Sequence, residues 1–193
     1  PMNLRDALAK ALYLRPGEGW PFGLLTGYSF LSGISLAYFI SLANASFLSE
    51  FSIDYLPHAY IVTGLVGYIA GLLLTRFQRQ LSYIKLPRLI VLLLLVLTLI
   101  FRLGLWYMPS RWLTFGMFVT IGLFTIFINY IFTSLATRLF DLRQSKRLLS
   151  LASSGNVISS IIGFFSVPLF LLFGNPADLL LIVAASLILC VMV

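Results

Sequence analysis

Side chains able to bind a solute or move a proton are scarce in this chain, and the informative ones lie inside long apolar runs. Asn129 is the clearest case. It sits well within an apolar run extending from about Trp112 to Ala136. An amide left unpaired in an apolar medium costs several kcal/mol, so Asn129 needs either a partner helix or a wet cavity. Spacing of three and four residues places Ile126, Asn129, Tyr130 and Thr133 on one helix face. Two readings stand for Asn129, Tyr130 and Thr133: they line a solute cavity, or they bond to a neighbouring helix. Ser29 in an earlier run and Asn156 in a later one are further cavity candidates. The other hydroxyls of these runs weigh less, because a helical Ser or Thr can bond its own backbone.

Ionisable groups add little chemistry. Arg102 is the basic residue within an apolar run, near its outer end. It either snorkels to water, faces an anion, or forms an ion pair with Asp54 or Glu50. His58 stands at an interface, where an imidazole would suit proton coupling. Cys190 lies in an apolar run and reads as a small packing residue. The sequence has no metal-ligand spacing, no phosphate-cradling glycine loop and no nucleophile elbow. It therefore reads as neither an enzyme nor a metal- or cofactor-binding protein.

The elements that must position these residues follow from composition. Hydrophobic residues make up 60% of the chain and charged residues 10%, with a mean hydropathy of +1.02. A soluble domain carries about 25% charged residues. So few charges cannot cover a water-facing surface, whereas in a bilayer the apolar side chains face outward and helices satisfy their own backbone. The net charge of +7 does not point to nucleic acid, because the basic residues sit in short breaks between apolar runs. The fold class is all-α, a polytopic bundle of about six transmembrane helices.

Residues 1–20 form a cytoplasmic or interfacial segment, with an amphipathic helix expected from Asn3 to Arg15. Residues 21–193 form the bundle. Its spans are expected at Pro21–Leu42, His58–Thr75, Arg88–Tyr107, Trp112–Ala136 and Leu151–Phe173, with a sixth beginning at Leu179. The stretch from Ala43 to Pro57 reads as polar enough to leave the membrane. The last run falls short of the roughly 20 residues a span needs, so the chain reads as a piece of a longer protein. Basic residues cluster in the N-terminal segment and in the loops Arg76–Pro87 and Thr137–Ser150, against Arg111 on the other side. This asymmetry places the N-terminus and both basic loops in the cytoplasm of an inner or plasma membrane. Gly64, Gly67 and Gly71 would let the second span approach a neighbour closely, for packing or for sliding.

Two loops carry a resemblance. Gly71-Leu-Leu-Leu-Thr-Arg76-Phe-Gln-Arg79-Gln80 resembles the loop signature of the major facilitator superfamily, with Thr75, Gln78 and Gln80 departing from it. Leu139-Phe140-Asp141-Leu-Arg143-Gln144-Ser-Lys146-Arg147-Leu148, leading into Ser154-Gly155-Asn156, resembles the region before the fifth helix of ATP/ADP antiporter-type nucleotide transporters. The resemblance implies one half of a twelve-helix carrier, completed by a second six-helix half. It implies gating roles for Gly71, Arg76, Arg79, Asp141, Lys146 and Arg147. The function it implies is alternating-access transport of a small organic solute, such as a nucleotide or other organic anion. A nucleotide demands Lys or Arg near midplane, and the first, fourth and fifth spans hold none in their cores. Two alternatives are a carrier of a neutral or lipophilic solute and a transport-inactive membrane anchor or sensor for an appended regulatory domain.

Overall fold

A computed structural model describes residues 18–80, 85–108 and 110–192. The amphipathic helix expected from Asn3 to Arg15 lies outside these residues, as does the Arg79 side chain. The described chain is all helix, in the order α1 (Gly19–Glu50), α2 (Leu56–Gln80), α3 (Lys85–Tyr107), α4 (Arg111–Leu139), α5 (Leu142–Phe173) and α6 (Leu179–Met192). Short 3-10 turns at Ile53–Tyr55 and Pro176–Asp178 precede α2 and α6. Helices α1 to α5 are long and apolar enough to cross a membrane. The shortest of them, α3, has 23 residues. At 1.5 Å per residue that is about 35 Å, enough for a hydrocarbon core of about 30 Å. The chain is an integral membrane protein on that ground.

Helix boundaries differ from the sequence expectation in three places, each for a local reason. Helix α1 runs on to Glu50, into the stretch expected to leave the membrane, because polar groups there bond their own helix. Asn44 Nδ2 donates to Ile40 O at 2.8 Å and Ser49 Oγ to Ser46 O at 2.8 Å. Helix α5 starts at Leu142 rather than near Leu151. Its start is set by a capping box, in which Gln144 Oε1 accepts from the Asp141 N–H at 3.1 Å. The basic residues Arg143, Lys146 and Arg147 therefore belong to the first turns of a helix and not to a loop. Likewise α2 reaches Gln80, so Gly71 and Arg76 are helical, with Arg76 exposed.

Helix α1 is the hub, packed against α5, α4 and α6, while α2 leans on α4 and α3 on α6 and α4. Half of the apolar window of α1 is buried (50%), against 22% in α2 and 17% in α5. Ring pairs join α1 to α4: Phe39 stacks on Phe124 at 4.1 Å, and Phe47 meets Phe118 tilted at 4.5 Å. The outer faces of α2, α3 and α5 remain covered with large apolar residues such as Ile61, Leu65, Leu92, Val96, Ile158 and Ile162. Hydrocarbon is the solvent that accepts such faces.

The close approaches are not where the glycines of α2 suggested. A Cβ on Gly64 or Gly71 would meet nothing within 4 Å, and one on Gly67 would reach only the Ile126 side chain at 3.0 Å. It is Gly122 of α4 that seats against α2, with Thr63 O 2.9 Å from the position of a Cβ.

Candidate functional site

The tightest seam joins α1 and α5. Ser29, Gly33 and Ala37 on α1 face Gly155, Ser159 and Gly163 on α5, small residues at four-residue spacing on both helices. A Cβ on Gly33 would fall 2.0 Å from Ser159 Oγ and 2.9 Å from Asn156 Cα. Such contact of backbones is how helices gain dispersion energy in lipid. The Asn156 backbone N–H donates to Ser29 Oγ at 3.0 Å, and Ser159 Oγ donates to Asn156 O at 2.9 Å. Ser160 Oγ reaches Asn156 Oδ1 at 3.4 Å. The structure thus brings Ser29 and Asn156 together, with Ser29 buried in the seam. The matching small-residue spacing was present in the sequence, but its pairing needed the fold.

Asn129, Tyr130 and Thr133 lie elsewhere, on α4. Asn129 and Thr133 are exposed and Tyr130 half-buried. Thr125, Asn129, Thr133 and Thr137 recur every fourth residue as a polar stripe. The first three bond one turn back: Thr125 to Ile121 O, Asn129 to Thr125 O and Thr133 to Asn129 O, at 2.7–2.9 Å. Thr137 bonds Ser134 O at 3.0 Å. No interhelix bond to Asn129 is present among the described residues. Its amide nitrogen is satisfied within α4, and its amide oxygen has no partner among the described residues. That oxygen can accept a hydrogen bond.

Charged groups gather at the two ends of the bundle. At one end Arg102 Nη2 donates to Asp178 Oδ1 at 2.7 Å, and its guanidinium lies 5.1 Å from the Trp106 ring. The expected partners Glu50 and Asp54 are not the ones used. Glu50 instead faces Arg111 at 3.5 Å. Asp178 fills the role because the 3-10 turn Pro176–Asp178 sets it beside α3, a placement set by how α6 packs on α3.

At the other end stands a cluster that the sequence reading missed. Glu18 is 6% exposed at the start of α1. It forms an ion pair with Arg147 and accepts from Gln144 Nε2 at 3.1 Å. Gln144 also accepts from the Asp141 N–H, so one side chain ties the cap of α5 to the foot of α1. Arg147 is therefore engaged within this bundle, whereas Lys146 and Asp141 are exposed. The signal for Glu18 was an acidic residue among the basic residues of that end, beside the Pro16-Gly17 break.

No protein-family profile, curated protein or solved structure matches this chain. The class it defines is a polytopic helical membrane protein with an uncharged polar stripe on α4 and ion pairs at both ends.

Proposed function

We propose that this chain is a six-helix half of a secondary transporter that moves a small organic solute by alternating access, in the manner of the major facilitator superfamily. The observation that carries this reading is the stripe Thr125, Asn129, Thr133 and Thr137, half-buried at Thr125 and exposed at the other three. A hydrogen-bonding row on an otherwise apolar spanning helix suits a water-filled path between two halves, not hydrocarbon. The two segments of sequence resemblance, at 71–80 and 139–156, support the same family. The basic end, with Arg76, Arg88, Arg138, Arg143 and Lys146, faces the cytoplasm of an inner or plasma membrane by the charge asymmetry of loops.

The stripe is uncharged, which favours a neutral polar solute over an anion. Arg102 offers no free charge, because Asp178 neutralises it. A nucleotide or another organic anion would have to draw its cations from the second half.

The test has two arms, both on the full-length protein in liposomes. In a Cys190→Ser background, Thr133→Cys should react with a water-soluble maleimide while Leu92→Cys on α3 stays unlabelled. Equal protection of both positions would place the stripe in lipid and end the cavity reading. Counterflow of ATP against ADP then decides the solute class. Saturable exchange, impaired in Asn129→Leu, would assign an anion; no exchange, with Thr133→Cys labelled, would leave the neutral solute.

A further inference from the structure

Large apolar side chains do not clothe the bundle evenly. Helices α1 and α4 expose such residues only near their ends, at Trp20, Leu48 and Trp112. Helices α2, α3 and α5 expose them along much of their length, from Ile61 to Leu73, from Leu89 to Leu103 and from Val157 to Leu172. Each face is bounded by groups that seek water or the headgroup layer. On α2 the bounds are the exposed His58 and Arg76, and on α3 the exposed Arg88 and Trp106. Beyond Arg76, Phe77 alone is large, apolar and exposed among the described side chains of α2. On α5 the bounds are the exposed Ser154 and Gly174.

The heights of these faces nearly agree. Eighteen residues separate His58 from Arg76, and eighteen separate Arg88 from Trp106, which at 1.5 Å per residue is about 27 Å on each helix. The α5 face spans twenty residues, about 30 Å, along a helix that contains Pro168. The shorter faces govern the fit. A long face suits a thin bilayer by tilting, whereas a short one cannot stretch, and any tilt of α2 or α3 lowers its height further. Snorkelling of Arg76 and Arg88 adds roughly a few Å at one edge only. The Arg102–Asp178 pair points the same way. It lies one turn inside Trp106, and the Asp178 side chain is 45% exposed, so a thicker core would draw this carboxylate into hydrocarbon.

Hydrocarbon is about 27 Å thick in membranes such as the endoplasmic reticulum and about 32–33 Å in plasma membranes rich in sterol and sphingolipid. We propose that the outer surface of this bundle fits a thin, sterol-poor bilayer with a core of about 27 Å, bounded by Arg76 and Arg88 at one edge and by His58 and Trp106 at the other. The fit does not depend on transport. An apolar face of this height lies at hydrocarbon depth whether lipid or another spanning helix covers it.

The test reconstitutes the purified full-length protein in phosphatidylcholine vesicles whose paired monounsaturated chains run from about 14 to about 22 carbons. X-ray scattering gives the hydrocarbon thickness of each preparation, and circular dichroism gives the midpoint of thermal unfolding. The wild-type midpoint should peak at about 27 Å and fall on both sides. Arg76→Leu/Arg88→Leu carries each apolar face three residues further, to Arg79 and Lys85, and should move the peak to bilayers about 4.5 Å thicker. Arg143→Leu removes an exposed charge that bounds neither face and should leave the peak in place. A wild-type peak at about 33 Å, or no dependence on chain length, would overturn the proposal whether or not the double variant folds. So would a folded double variant whose peak does not move, or an equal movement in Arg143→Leu.

Discussion

Glu18 is a carboxylate with almost no contact with solvent, and its partners decide what each substitution costs. Arg147 and Gln144 both bind it, while the Arg147 side chain is itself 34% exposed. Arg147→Gln removes the positive charge and leaves a buried carboxylate behind, so the cost should approach about 3 kcal/mol. Glu18→Gln keeps a polar group for Gln144 and releases Arg147 toward water, so it should cost only about 1–2 kcal/mol. Glu18→Gln/Arg147→Gln should be more stable than Arg147→Gln alone. Denaturation in mixed detergent measures all three; equal costs for the single variants would show that burial of Glu18 does not control the pair. At this scale the sequence was legible where a residue type conflicts with its surroundings. Asn129 and Arg102 stood out because each is polar within an apolar run. The identity of a partner was not legible. Asp178 lies 76 residues from Arg102, and their meeting depends on how α6 packs on α3, which no local pattern records.

Among the elements, the α1–α5 seam is where a single added carbon matters most. Gly33→Ala would put its Cβ into Ser159 Oγ and against the Asn156 backbone, so the helices must separate. Overpacking of this kind costs about 1–3 kcal/mol, and loss of the Asn156 N–H bond to Ser29 would add to it. Gly64→Ala on α2 meets open space and should shift stability by less than about 1 kcal/mol. Thermal unfolding of both variants in one detergent tests the contrast. Equal tolerance at the two positions would mean that the seam is not closely packed. Element type and number were readable from the apolar runs, since each span needs a length that few other structures share. The ends of α1 and α5 were not, because Asn44, Ser49 and Gln144 satisfy backbone groups and let helix continue through polar sequence. The glycines were misjudged for a related reason. Composition marks Gly64, Gly67 and Gly71 as able to approach a neighbour, but only packing shows that the approaches occur at Gly33, Gly122, Gly155 and Gly163.

For the whole molecule, the charges separate into two ends. Glu50, Arg111, Arg102 and Asp178 gather where α1 and α3 finish and α4 and α6 begin. These two acids and two bases pair off, and the exposed Asp54 between α1 and α2 leaves that end with three acids against two bases. The opposite end carries Arg76, Lys85, Arg88, Arg138, Arg143, Lys146 and Arg147, against Glu18 and Asp141 among the described side chains. Lys and Arg resist translocation, whereas acidic residues have little influence, so the unpaired excess sets the orientation. The basic end should face the cytoplasm. In a Cys190→Ser background, Ser52→Cys follows α1 and Asn175→Cys follows α5, both at exposed positions of the other end. Each should react with an impermeant thiol reagent in intact cells. Arg143→Cys, exposed at the basic end, should react only after the membrane is opened. Labelling of all three in intact cells would contradict the bundle topology, because Arg143 and Asn175 flank one continuous spanning helix. The reversed pattern would keep the topology but invert the protein. It would also turn the Glu18–Arg147 pair toward the outside.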